Sequence, residues 1–521
     1  MPRGSKQLRY DVVVIGGGHN GLVAACYLAK SGLSVLVLER LDETGGATRS
    51  MEPFTGLPAQ VNSYATMMGL FPDRIIEELG LDLQLRPRRM SSFTPTSRAG
   101  TATGLLIERH EGELTESSFR DAGGNASEYD AWRSFHAEVG DFAKQIAGSM
   151  MEPLVEESDI FDRVEPETWE MLVERPISEA VESRFTNDVV RGLIASEALT
   201  NGFADLDDLA ANRGYLFSAI GATSEWQVPI GGLGGLTGAL ERSAWRHQVE
   251  LVTHAFVTKV ESDGTTASVT WQADGEHFSV DCDWVLGNVA PWVLRILLGE
   301  QPGPRPEGAQ LKVNMLVERL PRLRSGVSPA QAFAGSVHIA AGYDELRRAH
   351  AAAASGVLPD LVPGYWVCPT LTDPSTLGPL AIDGWHALSF HGLSTPARLF
   401  DGDVDGVRDE AVCRVLDAIN AHLEEPVESL IARDTNGVPC LEAFAPQDLE
   451  NRLALPGGHV NHGDLSWPWA GPEDPMDTPA QRWGVDTQVA NVLVCGAGAR
   501  RGGAVSGIPG HNAAMAVLEA R

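Results

Sequence analysis

Gly16, Gly18 and Gly21 fall in a G-x-G-x-x-G pattern, and Glu39 stands 21 residues after Gly18. Glycines at this spacing let a loop turn tightly, let a pyrophosphate approach the backbone and let the following helix pack on its strand. The helix N-terminus then offers free N–H groups and partial positive charge to the phosphates. An acid at the position of Glu39 accepts hydrogen bonds from ribose hydroxyls and repels a 2′-phosphate, which disfavours NADP. The chemistry expected from these residues is dinucleotide binding.

The flanking elements support that reading. Asp11–Ile15 is a β-branched run that predicts a buried strand. Leu22, Cys26 and Ala29 recur at helical spacing, Ser31-Gly32 ends the helix, and Val35–Leu38 predicts a second strand closed by Glu39. Together they make one strand–turn–helix–strand unit with its acid in the expected place.

Two further glycine clusters carry a resemblance. After Glu39 come Arg40, then Gly45-Gly46-Ala47-Thr48-Arg49. Near the other end a predicted strand, Asn491–Cys495, runs into Gly496-Ala497-Gly498, then Gly502-Gly503-Ala504-Val505-Ser506-Gly507-Ile508-Pro509-Gly510 and a helix from about His511 to Leu518. Between them lies Pro229-Ile230-Gly231-Gly232-Leu233-Gly234-Gly235-Leu236. From about Asp11 to Ala520 the chain resembles the flavoproteins of the amine oxidase and phytoene desaturase superfamily, including carotenoid isomerases. The likeness is greatest to pyridine nucleotide-disulfide oxidoreductase domain proteins.

The resemblance implies non-covalent FAD, since no Cys or His lies within Gly502–Gly510. It implies that Arg40, Gly45, Gly46, Ala47 and Thr48 approach the pyrophosphate and ribityl chain, joined by Gly496 and Ala497. Val257 would back the adenine, and Val505, Ser506 and Ile508 would lie near the isoalloxazine. Lys312 matches a lysine that in amine oxidases holds a water against flavin N5, although a lysine at a strand edge is commonly just solvated. His462, in Gly457-Gly458-His459-Val460-Asn461-His462, falls in the loop that closes over the flavin and is a candidate acid/base. Its pairing with His459 as metal ligands lacks a third partner nearby, so no metal is expected. Glu225, Trp226, Trp366, Trp385, Trp467 and Trp469 are candidates to line the substrate cavity. A separate NAD site at Gly231–Gly235 is not expected, because no β-branched strand precedes it closely and no strand-terminal acid follows.

The fold expected is α/β: a discontinuous Rossmann-type FAD-binding domain from residues 10–60, 227–300 and 485–521. An inserted α+β substrate domain would take residues 61–226 and 301–484. Residues 125–225 read as mainly helical, with Phe135, Val139, Phe142 and Ile146 as core. Leu240–Trp245 reads as a helix, Leu251–Val260 and Leu311–Val317 as strands. Asp401–Gly406 starts like a calcium loop, but its twelfth position is Val412 and not a glutamate, so a surface loop is expected.

The 521 residues carry a formal net charge of −30, which repels nucleic-acid backbones and anionic lipid. No apolar run of spanning length occurs. The six scattered cysteines suit a reducing compartment, and no secretory signal is read at the N-terminus, so a cytoplasmic location is expected. The function expected is removal of hydride from a C–H bond of a small or lipophilic organic substrate in secondary metabolism, by desaturase, dehydrogenase or oxidase chemistry. Electrons would pass to oxygen or a quinone-like acceptor. The alternatives are a non-redox flavin-dependent cis–trans isomerase, or a flavin-free binding module of the GDP-dissociation-inhibitor type. Oligomeric state is not legible.

Overall fold

The computed structural model describes residues 5–123, 126–223 and 227–521. The chain opens with β1 (Arg9–Ile15), α1 (His19–Lys30) and β2 (Val35–Leu38), followed later by the hairpin β3 (Met90–Arg98) and β4 (Thr101–Glu108). A helical block follows, containing α2 (Ala126–Ala147), α3 (Asp188–Ala198) and α4 (Leu209–Thr223). Helix α5 (Gly232–Arg246) leads into β5 (Glu250–Val252), β6 (Phe256–Ser262), β7 (Ala267–Ala273) and β8 (Glu276–Gly287). Then come β9 (Leu311–Val317), β10 (Ser336–Ile339), β11 (Gly364–Val367), β12 (His386–Gly392) and β13 (Leu441–Phe444). The described chain closes with β14 (Val492–Val494) and α6 (Ile508–Ala520).

These strands form two seven-stranded sheets. The first has the order β6-β7-β8-β1-β2-β5, with β14 also beside β8. Strands β8, β1, β2 and β5 run parallel, as do β8 and β14. Parallel strands are covered on both faces, which is why Val12–Val14 and Val35–Leu38 are apolar without alternation and wholly buried. Long strand β8 shares its edge: its first half pairs antiparallel with β7, its last three residues parallel with β14. That arrangement brings three chain segments, far apart in sequence, to one set of carboxyl ends.

The second sheet has the order β13-β9-β12-β11-β10-β3-β4. All its neighbours are antiparallel except β10 and β3. Strand β9 lies inside this sheet, paired on both sides. Helix α2 buries Phe135, Val139, Phe142 and Ile146 as one stripe against α4 and its neighbours, the helical spacing expected of a core face.

Several local expectations are corrected. The expected helix over Leu240–Trp245 begins eight residues earlier, at Gly232. Gly231, at φ 87°, supplies the turn into it. Its first free N–H groups are taken by side chains: Leu233 N donates to Asn62 Oδ1 (3.0 Å) and Gly234 N to Ser50 Oγ (2.9 Å). The expected strand over Leu251–Val260 is two strands, β5 and β6, separated at His254, where φ is +56°. The last helix starts at Ile508, because Pro509 is favoured in a first helical turn. The calcium-like run is a helix start, with Asp403 Oδ1 accepting from Gly406 N at 2.9 Å. Among the described residues, no helix is long and apolar enough to cross a membrane.

Candidate functional site

One continuous cavity of about 360 Å³ runs from the carboxyl ends of the first sheet to the inner face of the second. At the first end, β1 delivers Gly16–Gly18 and β2 delivers Glu39. Gly16 takes φ +98°, and a Cβ on Gly21 would stand 2.3 Å from the Gly16 carbonyl oxygen, so this turn and helix close only with glycine there. Glu39, 7% exposed, accepts from Gly17 N at 2.8 Å and from Leu41 N at 2.9 Å. A carboxylate has about four acceptor sites, so two remain for a ribose. Asn288, just past β8, ties that strand to the glycine turn: its Nδ2 donates to Gly16 O at 3.0 Å and its backbone N to Ile15 O at 2.8 Å. Beyond β14, Ala497 joins the same wall.

Of the sequence-expected cofactor residues, Gly16, Gly18, Glu39, Arg40, Gly46, Ala47, Val257, Ala497 and Val505 line this cavity. Gly21, Gly45, Thr48, Gly496, Ser506 and Ile508 stand behind it. Thr48 Oγ1 donates to Gly45 O at 2.8 Å and meets Thr237 Oγ1 at 2.9 Å, fixing the second glycine loop, and Gly45 N donates to Gly17 O at 2.8 Å. Ser506 and Ile508 are fully buried beneath Val505 at the start of α6.

At the other end stands Lys312. It is not a solvated edge lysine: it is 4% exposed, on a strand paired on both sides, next to the edge strand of the second sheet. Its ammonium donates to Asn62 O at 3.0 Å and to Tyr64 O. Asn314 Nδ2, two residues on, donates to Ser63 O at 3.2 Å, so β9 holds three consecutive carbonyls of the 62–64 segment. Burial lowers the Lys312 pKa from 10.5 to about 7, with Glu442 opposing the shift. Across the strands Lys312 pairs with His391, and His391 with Tyr365. His391 stacks on Tyr365 at 4.7 Å between ring centroids, and its Nε2 bonds Thr66 Oγ1. Lys312, His391, Tyr365 and Thr66 all line the cavity.

His462 also lines the cavity, at φ +65°, but at the dinucleotide end. Its Cε1 lies where a Cβ on Gly496 would be 3.3 Å away. Burial, with His459 and His19 nearby, lowers its pKa to about 4. The expected tryptophan lining is corrected: Trp366 is in the core of the second sheet, Trp469 and Trp467 stack together beside the helical block, and Trp385 packs near Phe54 and Leu377. Large rings fill the cores here, where burial rewards them most. Glu225 and Trp226 lie outside the described residues. His391, Tyr365, His19 and Asn288 were not among the sequence-derived site residues. His19 lies inside the first glycine motif, and Asn288 follows the apolar run Trp284-Val285-Leu286; His391 and Tyr365 carry no such signal.

The residues present fit a bound dinucleotide. The glycine turn leaves backbone in the cavity wall, Glu39 keeps acceptor capacity, and His19 Nε2, Asn20 Oδ1 and His462 Nδ1 are buried without partners beside the same space.

Residues 14–66 match the family model described as an NAD(P)-binding Rossmann-like domain. The chain is 42% identical over 521 residues to an uncharacterised protein of Mycobacterium tuberculosis, covering 98% of this chain and 97% of that one. It is 28% identical over 566 residues to the mouse pyridine nucleotide-disulfide oxidoreductase domain-containing protein 2, covering 98% and 93%. A solved putrescine oxidase with putrescine bound superposes at a TM-score of 0.58, with 18% identity over 99% of this chain and 100% of that one. The chain belongs to the family of the mycobacterial protein, and it shares the fold of the putrescine oxidase structure.

Proposed function

We propose that this amine oxidase-like protein is an FAD-dependent oxidoreductase that takes hydride from a C–H bond of a small or lipophilic organic substrate. The observation that carries the reading is the single cavity that joins Gly16, Gly18, Glu39 and Ala497 at one end to buried Lys312 at the other. Glu39 and the first glycine turn would hold the adenosine ribose and pyrophosphate, and Val257 would back the adenine. Ala47, Ala497 and Val505 would lie along the ribityl–isoalloxazine portion. FAD, held non-covalently, supplies the hydride-accepting centre.

The chain's own contribution at the reacting end is position, dryness and one proton. Two N–H bonds of Lys312 are fixed by the carbonyls of Asn62 and Tyr64, so its third valence is left to the cavity. With its pKa near 7, Nζ exchanges a proton there at neutral pH, as an ammonium donor or an amine acceptor. Tyr365 and His391 form an aromatic wall beside it, and Leu70 and Phe217 exclude water. The electron acceptor in this reading is oxygen or a quinone-like molecule.

The test is anaerobic mixing of the FAD-loaded protein with apolar alkenes, alcohols and amines. Loss of the ~450 nm flavin band, with dehydrogenated product in equal amount and recovery on admitting air, is expected. Product formed with no acceptor consumed would overturn the redox reading in favour of isomerisation.

A further inference from the structure

The reacting end of the cavity holds side-chain oxygens that the protein itself leaves unused. Gln310 immediately precedes β9, and Lys312 is the second residue of that strand. At this spacing the two share one face of the sheet, about 7 Å apart along the backbone, and both line the cavity. The Gln310 amide nitrogen donates to Thr200 O. A carbonyl only accepts, so the nitrogen end of the amide is fixed there, and Oε1 makes no hydrogen bond among the described residues. Asn461 also lines the cavity. It spends its amide hydrogens on Asn201 O at 3.0 Å and Asn201 Oδ1 at 3.1 Å, and its oxygen is likewise left as an acceptor.

The groups around Lys312 leave it as the one base at this end. His391 on β12 and Tyr365 on β11 follow it across the sheet, and burial keeps the first neutral and the second protonated. Tyr64 contributes its backbone carbonyl. Glu442 on β13 accepts from Asn314 Nδ2 at 2.9 Å and does not line the cavity. Among the described residues, the one acid in the cavity wall is Glu39, at the dinucleotide end. A ligand group beside Gln310 and Lys312 therefore has to donate a hydrogen bond without bringing charge. A carbonyl or ether would set oxygen against oxygen. An alkylamine, with a pKa of about 10, is an ammonium at neutral pH and would add a second cation with no carboxylate to pair it. A hydroxyl donates, stays neutral and has a proton to give up.

We propose that the substrate is an alcohol whose hydroxyl sits on the carbon that loses hydride, held between Gln310 Oε1 and Lys312 Nζ. The inference rests on the FAD reading above and names its substrate class. In the step, the C–H bond breaks and its hydrogen leaves as hydride to oxidised FAD. The O–H bond breaks and its proton passes to the lone pair of Lys312 Nζ, and the electron pair left on oxygen forms the C=O bond. The products are a ketone or aldehyde, flavin reduced by two electrons, and a lysine ammonium. Oxygen or the quinone-like acceptor then takes the two electrons. The ammonium donates to the new carbonyl oxygen, so the same nitrogen serves alcohol and product.

The test mixes the FAD-loaded full chain anaerobically with matched alcohols, alkenes and amines on six- and ten-carbon rings. The alcohols are expected to bleach the flavin band about tenfold faster than the alkenes and amines, or more, with one carbonyl product per flavin. Their kcat/KM should rise about tenfold per pH unit below pH 7 and level off above it, since only the neutral amine of Lys312 accepts a proton. Gln310→Leu should raise KM for the alcohol about tenfold with a smaller change in kcat. Lys312→Met should lower kcat about a hundredfold or more and flatten the pH profile. If either variant folds poorly, the wild-type preference and pH profile decide. Bleaching by alkenes or amines and not by alcohols would overturn the proposal and leave the FAD reading standing. So would an alcohol reaction independent of pH, or loaded protein that no compound of the panel bleaches. Wild-type protein that takes up no FAD would overturn the FAD reading itself, and this proposal with it.

Discussion

Lys312 and His391 are direct cross-strand partners on the face of the second sheet that lines the cavity. Two basic groups so placed, and so buried, do not both carry charge. The nearby Lys312 adds to the burial that holds the His391 pKa well below its ordinary value. His391 therefore stays neutral, bonded to Thr66, and Lys312 is the group that titrates. In the proposed function, this relationship gives the reacting end one mobile proton.

The first consequence concerns stability and pH. The Lys312 pKa falls from 10.5 to about 7 on folding. Between those values the unfolded chain binds a proton that the folded chain lacks, so this group's contribution to stability rises with pH. Below pH 7 the folded state bears the full cost of the buried charge. Lys312→Met removes that dependence. Its stability relative to wild type is expected to fall by about 1.4 kcal/mol per pH unit from pH 7 to pH 10, measured by urea unfolding. Parallel curves would refute the buried-lysine assignment.

Gly21→Val tests the dinucleotide turn. The new side chain meets the Gly16 carbonyl and Asn288 Nδ2 at once, and neither can give way without opening the loop. Destabilisation of about 1–3 kcal/mol is expected, with loss of bound flavin from the purified protein. Thermal melting and the flavin-to-protein absorbance ratio check it.

Glu39→Gln probes the ribose end. The substitution keeps an acceptor but removes the charge that receives Gly17 N and Leu41 N. Charge-assisted bonds exceed neutral ones by roughly twofold, so FAD affinity should drop about tenfold with no shift of the visible band. Equilibrium titration of the flavin-free protein measures it.

How much of this was legible beforehand varies by element. The first glycine loop, its strands and Glu39 are local: every part lies within 40 residues, and hydrophobic period and turn chemistry fix it. Lys312 was visible as a lysine on a strand, but its burial was not. That burial comes from the 62–64 carbonyls, about 250 residues away in sequence, and from β13 and β12 closing over β9 on both sides. Tyr365 and His391 escaped for the same reason, since strand pairing brings them together and no motif announces it. The tryptophans misled because apolar bulk marks a core as readily as a cavity. The helix was expected only from Leu240, yet it begins at Gly232, where the side chains of Asn62 and Ser50 occupy its N-terminus and hold it in register.

Asn62 thereby becomes a structural hinge between the two ends of the cavity. Its Oδ1 accepts from Leu233 N and Ser50 Oγ, and its carbonyl accepts from Lys312. Asn62→Ala should cost about 1–3 kcal/mol by leaving a buried helix N–H unpaired. Urea unfolding at pH 7 measures the loss, and an unchanged midpoint would contradict it.

The measurement that bears most directly on the central claim is the visible absorbance spectrum of the purified protein, repeated on the supernatant after denaturation. Bands at ~370 and ~450 nm that pass into the supernatant are the predicted result, since in the proposed function the cavity would hold FAD without a covalent bond. Bands that stay with the precipitate would contradict non-covalent binding. No flavin bands, even after incubation with FAD, would contradict the FAD-dependent oxidoreductase itself.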